Sequence, residues 1–295
     1  MSPRLGYIIY PIISVVTWAS NIVIGRRIVA YYGIDGITLG FLRFLIATPL
    51  LALFLAYRGE LAKPSRRMIV VLFLAGLFGI AGFNSLLYMS LGYITGGTAS
   101  FLAMMVIPIT YVLSVLLGKE KATPSGVAGV ALGLAGVYII LSESIALESL
   151  IGTLLALAAA ASWSIYTMIL STWREPGLDD ANTLLYTMAW GTLVLAPIAD
   201  YGAAPRALEP VVSILILYVA VVPGIVGYLT WNIGVSKLGP FIPSMFIAAI
   251  PALTVIMESM LLGESITART LAGGALVIAS IIVVTYARFK GGPRG

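Results

Sequence analysis

The chain has 295 residues, 60% of them hydrophobic and only 10% charged, with a net charge of +5 and mean hydropathy of +1.05. A soluble domain of this length cannot cover so many apolar side chains, so the composition points to the bilayer as solvent. Cysteine and histidine are both absent, which excludes disulfides, thiol catalysis and thiolate metal sites, and removes the usual neutral-pH proton shuttle.

Glutamine is also absent and asparagine occurs four times, a balance that fits a thermophilic source. The pI near 9.4 does not signal nucleic acid, because the basic residues fall in short loops between apolar spans. They suit a membrane surface instead.

Apolar spans of about 18 to 24 residues, enough for roughly 30 Å of hydrocarbon, are predicted in chain order at 7–25, 35–57, 68–91, 96–117, 124–141, 150–172, 180–200, 210–235, 241–262 and 269–288. Asp35, Thr123 before Pro124, and Asp180 are N-cap or first-turn residues for three of them. Arg4 precedes the first span in the manner of a signal peptide, but a matching internal span at 150–172 argues for a retained helix. No loop is long enough for a separate soluble domain, and 173–179 is the natural joint between halves.

The same unit is written twice, about 145 residues apart. Thr17-Trp18-Ala19 matches Ser162-Trp163-Ser164, and Gly79-Ile80-Ala81-Gly82-Phe83 matches Gly224-Ile225-Val226-Gly227-Tyr228. Leu116-Leu117-Gly118-Lys119-Glu120 matches Leu261-Leu262-Gly263-Glu264. Each copy, 1–145 and 146–295, holds five spans, and an odd number inserts the second copy upside down. Inverted repeats of this kind build two access states around one central site. The fold expected is therefore an all-α integral membrane protein of ten transmembrane helices in two inverted five-helix repeats, forming one transport domain.

Orientation follows from the basic residues. Arg4, Arg58, Lys63, Arg66, Arg67, Lys119, Lys121, Arg174, Lys237, Arg288, Lys290 and Arg294 fall on the side of both termini. Arg26, Arg27, Arg206 and Arg269 fall on the other. The positive-inside rule places both termini in the cytoplasm.

These features resemble the drug/metabolite transporter superfamily, in its EamA-type branch of ten-helix permeases, which includes amino-acid exporters. The resemblance covers essentially the whole chain. It rests on Trp18 and Trp163, on Arg43 in the second span, on the Pro108 and Pro251 pair, and on the Leu-Leu-Gly-acidic endings of spans four and nine. Lys119, inserted before Glu120, is a small departure. Such families move amino acids, sugars, nucleotide conjugates or drugs, so the resemblance leaves the substrate open. It implies that helices one, three, four, six, eight and nine line a central cavity.

Polar and aromatic residues gather on those helices. Ser14, Trp18 and Asn21 share one face of span one, and Trp163 with Tyr166 repeats the stripe in span six. Asn84 and Tyr88 lie one turn apart in span three, and Trp231 and Asn232 close span eight. Ser100, Met104, Pro108 and Tyr111 share a face of span four, as do Ile247, Pro251, Thr254 and Glu258 of span nine. A lone amide in hydrocarbon is costly, so Asn21, Asn84 and Asn232 are expected to face the bundle or water. The plainer alternative is that these side chains only tie neighbouring helices together.

Pro108 and Pro251 each remove a donor in mid-span and are expected to bend their helices at a gate or as a static shape. Gly126, Gly129, Gly133 and Gly136 make a ridge for close helix contact, within the monomer or in a weak homodimer. Arg43, about 12 Å along its helix from Asp35, is expected to pair with Glu258, to attract an anionic solute group, or to tie helix carbonyls. Glu258 is the candidate for proton coupling.

No P-loop, metal cluster or protease-like acidic pair is present, so neither an enzyme nor a cofactor is expected. The expected partners are a small-molecule substrate and membrane lipids, with no nucleic acid. The site set is Trp18, Asn21, Arg43, Asn84, Tyr88, Tyr111, Trp163, Tyr166, Trp231 and Asn232 for substrate, with Glu258, Pro108 and Pro251 for coupling or gating. Export of an amino acid or similar metabolite across the inner membrane is the leading expectation. Efflux of lipophilic cations and lipid translocation are the alternatives.

Overall fold

The structure, a computed structural model, describes residues 5–90, 93–94, 96–142, 149–262 and 268–290. Among the described residues there is no β-strand. The first half comprises α1 (Ile9–Tyr32), α2 (Gly36–Tyr57), α3 (Arg66–Gly76), α4 (Phe83–Ser90), α5 (Gly96–Ala103), α6 (Val106–Leu116) and α7 (Pro124–Leu141). The second comprises α8 (Leu150–Thr172), α9 (Asp180–Leu195), the short α10 (Ala204–Ala207), α11 (Pro210–Val219), α12 (Tyr228–Leu238), α13 (Phe241–Ile247), α14 (Ile250–Leu262) and α15 (Ala268–Lys290). A helix or a helix pair lies over each of the ten apolar segments. Five meet both length and hydropathy requirements for a crossing: Leu5–Val29, Gly36–Tyr57, Arg66–Leu87, Leu150–Thr172 and Pro210–Leu238.

Local chemistry sets the helix starts. Asp35 accepts from the amides of Ile37 and Thr38 at 3.0 Å, and Thr123 accepts from Gly126 at 3.1 Å beside Pro124 in the first turn. At α9 the cap is Asp179, which accepts from Asn182 at 2.7 Å, while Asp180 opens the first turn. Large apolar side chains such as Leu53, Leu116, Ile214 and Met260 are exposed around the outside. An apolar surface this extensive belongs against lipid.

The two halves interlock. Helix α9 lies against α2 and α3, α8 against α4 and α6, and α1 against α12 and α14. Helices α7 and α15 pack together along the glycine ridge. A Cβ at Gly129 would sit 2.1 Å from Val284, and one at Gly136 would sit 2.6 Å from the carbonyl of Gly273. The ridge is thus consumed inside the chain.

Two departures from regular α-helix recur in both halves. A π-helical turn at Leu77–Gly82 joins α3 to α4, and another at Ala220–Gly227 joins α11 to α12. Pro223 accounts for the second, since it has no amide to close the α ladder. Neighbouring side chains press on both. A Cβ at Gly79 would stand 2.4 Å from the Tyr166 ring, and one at Gly227 would stand 2.7 Å from Thr17 Oγ1. Widened turns of this type often mark functional sites.

The second departure corrects the expected bends. Spans four and nine are broken, at Met104–Met105 and Ala248–Ala249, each with short i-to-i−3 bonds across the gap. Pro108 and Pro251 fall in the first turns of α6 and α14. A missing amide there leaves no helix bond unmade.

Candidate solute site

The π turns face a cluster of aromatic rings to which both halves contribute. Trp18 of α1 meets Trp163 of α8 edge-on with centroids 5.2 Å apart, and Trp231 of α12 also at 5.2 Å. Trp163 further touches Tyr166 at 5.2 Å, Trp231 at 5.6 Å and Phe83 at 5.0 Å. Tyr228 joins Trp18 and Trp163, both at 5.6 Å, and carries the cluster to Phe44. Edge-to-face contacts of this kind add about 0.5–1.5 kcal/mol per pair beyond the area they bury. Trp163, Tyr166, Tyr228 and Trp231 are buried, and Trp18 is partly buried.

Hydrogen bonds tie the rings to the π turns of the opposite half. Trp18 Nε1 donates to the Pro223 carbonyl at 3.3 Å, and Ser162 Oγ donates to that of Phe78 at 2.9 Å. Tyr228 donates to the Gly79 carbonyl at 3.4 Å. A widened turn leaves carbonyls without helical partners, and these donors satisfy them in a dry interior. Tyr166 donates to Asn232 Oδ1 at 2.8 Å, and Asn84 donates to the carbonyl of Ile80 in its own π turn.

Arg43 is 5% exposed and donates to Asn21 Oδ1 at 3.4 Å. Its guanidinium lies 4.7 Å from the Phe44 ring centroid and 5.9 Å from that of Tyr228. Buried guanidinium is tolerated where ring faces and amide oxygens replace water. Cation and aromatic cluster are therefore one continuous site.

The structure brings together Trp18, Asn21, Arg43, Trp163, Tyr166, Trp231 and Asn232, with Asn84 at the start of α4, bonded back to the adjoining π turn. Tyr111 stands apart, packed on Phe241 at 4.4 Å and accepting from the Thr123 amide at 3.0 Å near the start of α7. Pro108 and Pro251 lie beside the helix breaks. The side chains of Tyr88, Ser100 and Glu258 fall outside the described residues, and the Arg43–Glu258 pairing with them. Phe44, Phe83, Ser162 and Tyr228 are members that sequence reasoning passed over. For Phe83 and Tyr228 the signal was present, because they end the matched Gly-x-x-Gly-aromatic motifs.

A multi-pass α-helical chain whose two like halves interlock around a buried aromatic and cationic centre has the architecture of a membrane transporter. The chain belongs to the EamA-like transporter family, whose profile matches residues 5–142 and again 150–286. It is 27% identical over 281 residues to an uncharacterized transporter of Archaeoglobus fulgidus, covering 92% of this chain and 95% of that one. It is 26% identical over 276 residues to a probable terminal-alkyne amino-acid exporter of Streptantibioticus cattleyicolor, covering 92% and 91%. It is 24% identical over 303 residues to a probable amino-acid metabolite efflux pump of Salmonella typhimurium, covering 97% and 96%. A crystal structure of a protein 19% identical has the same fold, with a TM-score of 0.76 over 96% of this chain and 98% of that one.

Proposed function

We propose that this transporter is a secondary carrier that exports small metabolites, amino acids foremost, across the inner membrane by alternating access. Its repeats, 1–145 and 146–295, cross the bilayer five times each in opposite senses, with both termini in the cytoplasm. They rock about the aromatic centre. The observation that carries this reading is the contact between Trp18 and Trp163, equivalent residues of the two halves, at 5.2 Å. A site shared in this way changes shape whenever the halves move against each other.

Rings and amides together suit a modest apolar solute with one polar end. Relatives named as an amino-acid exporter and an amino-acid metabolite efflux pump support that class. Arg43 over Phe44 and Tyr228 already supplies the cation that ring faces favour, which speaks against lipophilic cations as cargo.

Counterflow in proteoliposomes tests the proposal, with labelled amino acids outside and each unlabelled candidate concentrated inside. Accumulation above protein-free liposomes, lowered by Trp163→Ala, is expected. No accumulation across the panel, from a preparation shown to be folded, rules the amino-acid reading out.

A further inference from the structure

The two halves use the same three residue positions in different ways. In one copy Trp18 Nε1 takes the carbonyl of Pro223 at 3.3 Å, while Thr17 Oγ1 folds back to donate to Ser14 of its own helix at 2.8 Å. In the other copy, 145 residues on, the hydroxyl crosses instead. Ser162 Oγ takes the carbonyl of Phe78, the position equivalent to Pro223, at 2.9 Å. The equivalent indole, Trp163, is 3% exposed, and its Nε1 has no acceptor among the described residues. One indole N–H is spent on the fold, and its twin is held in reserve.

An indole N–H buried without an acceptor carries a desolvation penalty of about 1–3 kcal/mol, which an acceptor on a bound solute would relieve. Two further buried nitrogens beside it, Trp231 Nε1 and Asn232 Nδ2, also lack partners among the described residues. Tyr166 donates to Asn232 Oδ1, which turns that amide's acceptor inward and leaves its donor end open. All three nitrogens are donors. Among the described residues, Asp35, Glu60, Asp180 and Asp200 lie at helix ends or in the connections between helices, and no carboxylate accepts a hydrogen bond from these three nitrogens.

We infer that Trp163 is the donor that receives the solute's carboxylate, freed for that role by Ser162, so that cargo is recognised by its acid end and not by its amine. The inference rests on the solute site proposed above. Trp163 is the binding residue. Ser162 is a positioning residue that occupies Phe78 and keeps the indole from closing onto its own protein as Trp18 does.

The test uses the full-length protein in proteoliposomes and nanodiscs, with L-leucine and L-leucine methyl ester as probes. Where leucine is not carried, the amino acid giving the largest counterflow and its methyl ester replace that pair. Trp163→Phe keeps a ring but removes the N–H. It is expected to raise the half-saturation concentration of leucine about tenfold or more, as loss of a hydrogen bond to a charged group does, and to leave competition by the ester nearly unmoved. In indole 15N–1H spectra, leucine is expected to shift the Trp163 resonance. Ser162→Ala is expected to move that resonance without leucine, towards the hydrogen-bonded position of Trp18, and to abolish its response to leucine.

Equal weakening of acid and ester by Trp163→Phe overturns this inference while leaving the carrier reading intact. So does a Trp163 resonance indifferent to an amino acid that is transported. Absence of counterflow for the whole amino-acid panel removes the carrier reading, and this inference with it.

Discussion

The two ends of the molecule are closed by equivalent elements with unequal strength. At one end the connection after α2 is held by residues near the start of α9. Asn182 accepts from the Ala62 amide and donates to the Glu60 carbonyl, both at 2.9 Å. Tyr186 donates to the Ala62 carbonyl at 2.9 Å, and Ser65 donates to Glu175 through both its amide and its hydroxyl. At the other end the connection after α9 is held by residues before and at the start of α2. There Thr38 Oγ1 accepts from the Asp200 amide at 2.8 Å, and Arg206 donates to the Gly33 carbonyl at 2.7 Å.

Asn182 and Thr38 are both buried, but the first end adds the part-buried Tyr186 bond, whereas the second adds only that of Arg206, which is exposed. Buried bonds resist water and screening in a way that exposed ones do not. A duplicated fold thus carries a built-in bias: the end holding 58–65 is latched, and the end holding 33–38 is only fastened. Under the alternating-access proposal, that difference would set which access state predominates at rest.

Breaking the stronger latch has the largest expected effect. Asn182→Ala leaves the Ala62 amide and the Glu60 carbonyl without partners and is expected to cost about 2–4 kcal/mol, read as a lowered unfolding midpoint in detergent. Glu175→Ala removes a carboxylate from the Ser65 amide and hydroxyl at an exposed site, and about 1 kcal/mol is expected. Thr38→Val at the weaker end removes the bond from Asp200 while keeping the shape, for about 1 kcal/mol. Arg206→Ala is expected to fall below about 1 kcal/mol and to shrink further at high salt, as exposed charges do. If the last two match Asn182→Ala, the two ends are equivalent and the comparison fails.

The sequence shows some of this and hides the rest for physical reasons. Hydropathy marks the helical segments because lipid tolerates little else, and Asp35 and Thr123 mark starts because a cap needs a short oxygen-bearing side chain. The repeat makes Trp18 and Trp163 legible as a pair. The π turn at Leu77–Gly82 is not legible, because the Tyr166 ring packed on Gly79 comes from a distant segment, and the turn at Ala220–Gly227 is marked only by Pro223. Tyr111 shares a helix face with Pro108, but a helical face gives direction and not depth, and Tyr111 sits beside Phe241 instead of Trp163. Asn182 was missed because an asparagine next to two aspartates reads as cap chemistry, and nothing local reveals that it reaches the connection after α2.

The absence of cysteine gives the most direct test of alternating access. Ala62→Cys and Ala203→Cys each place one thiol, at the latched and the fastened end respectively, for labelling by a polar maleimide in nanodiscs. Adding Asn182→Ala is expected to speed labelling at position 62 and slow it at position 203, because opening one end closes the other. Labelling that rises at both positions together, or changes at neither, would contradict a carrier whose two ends open in turn.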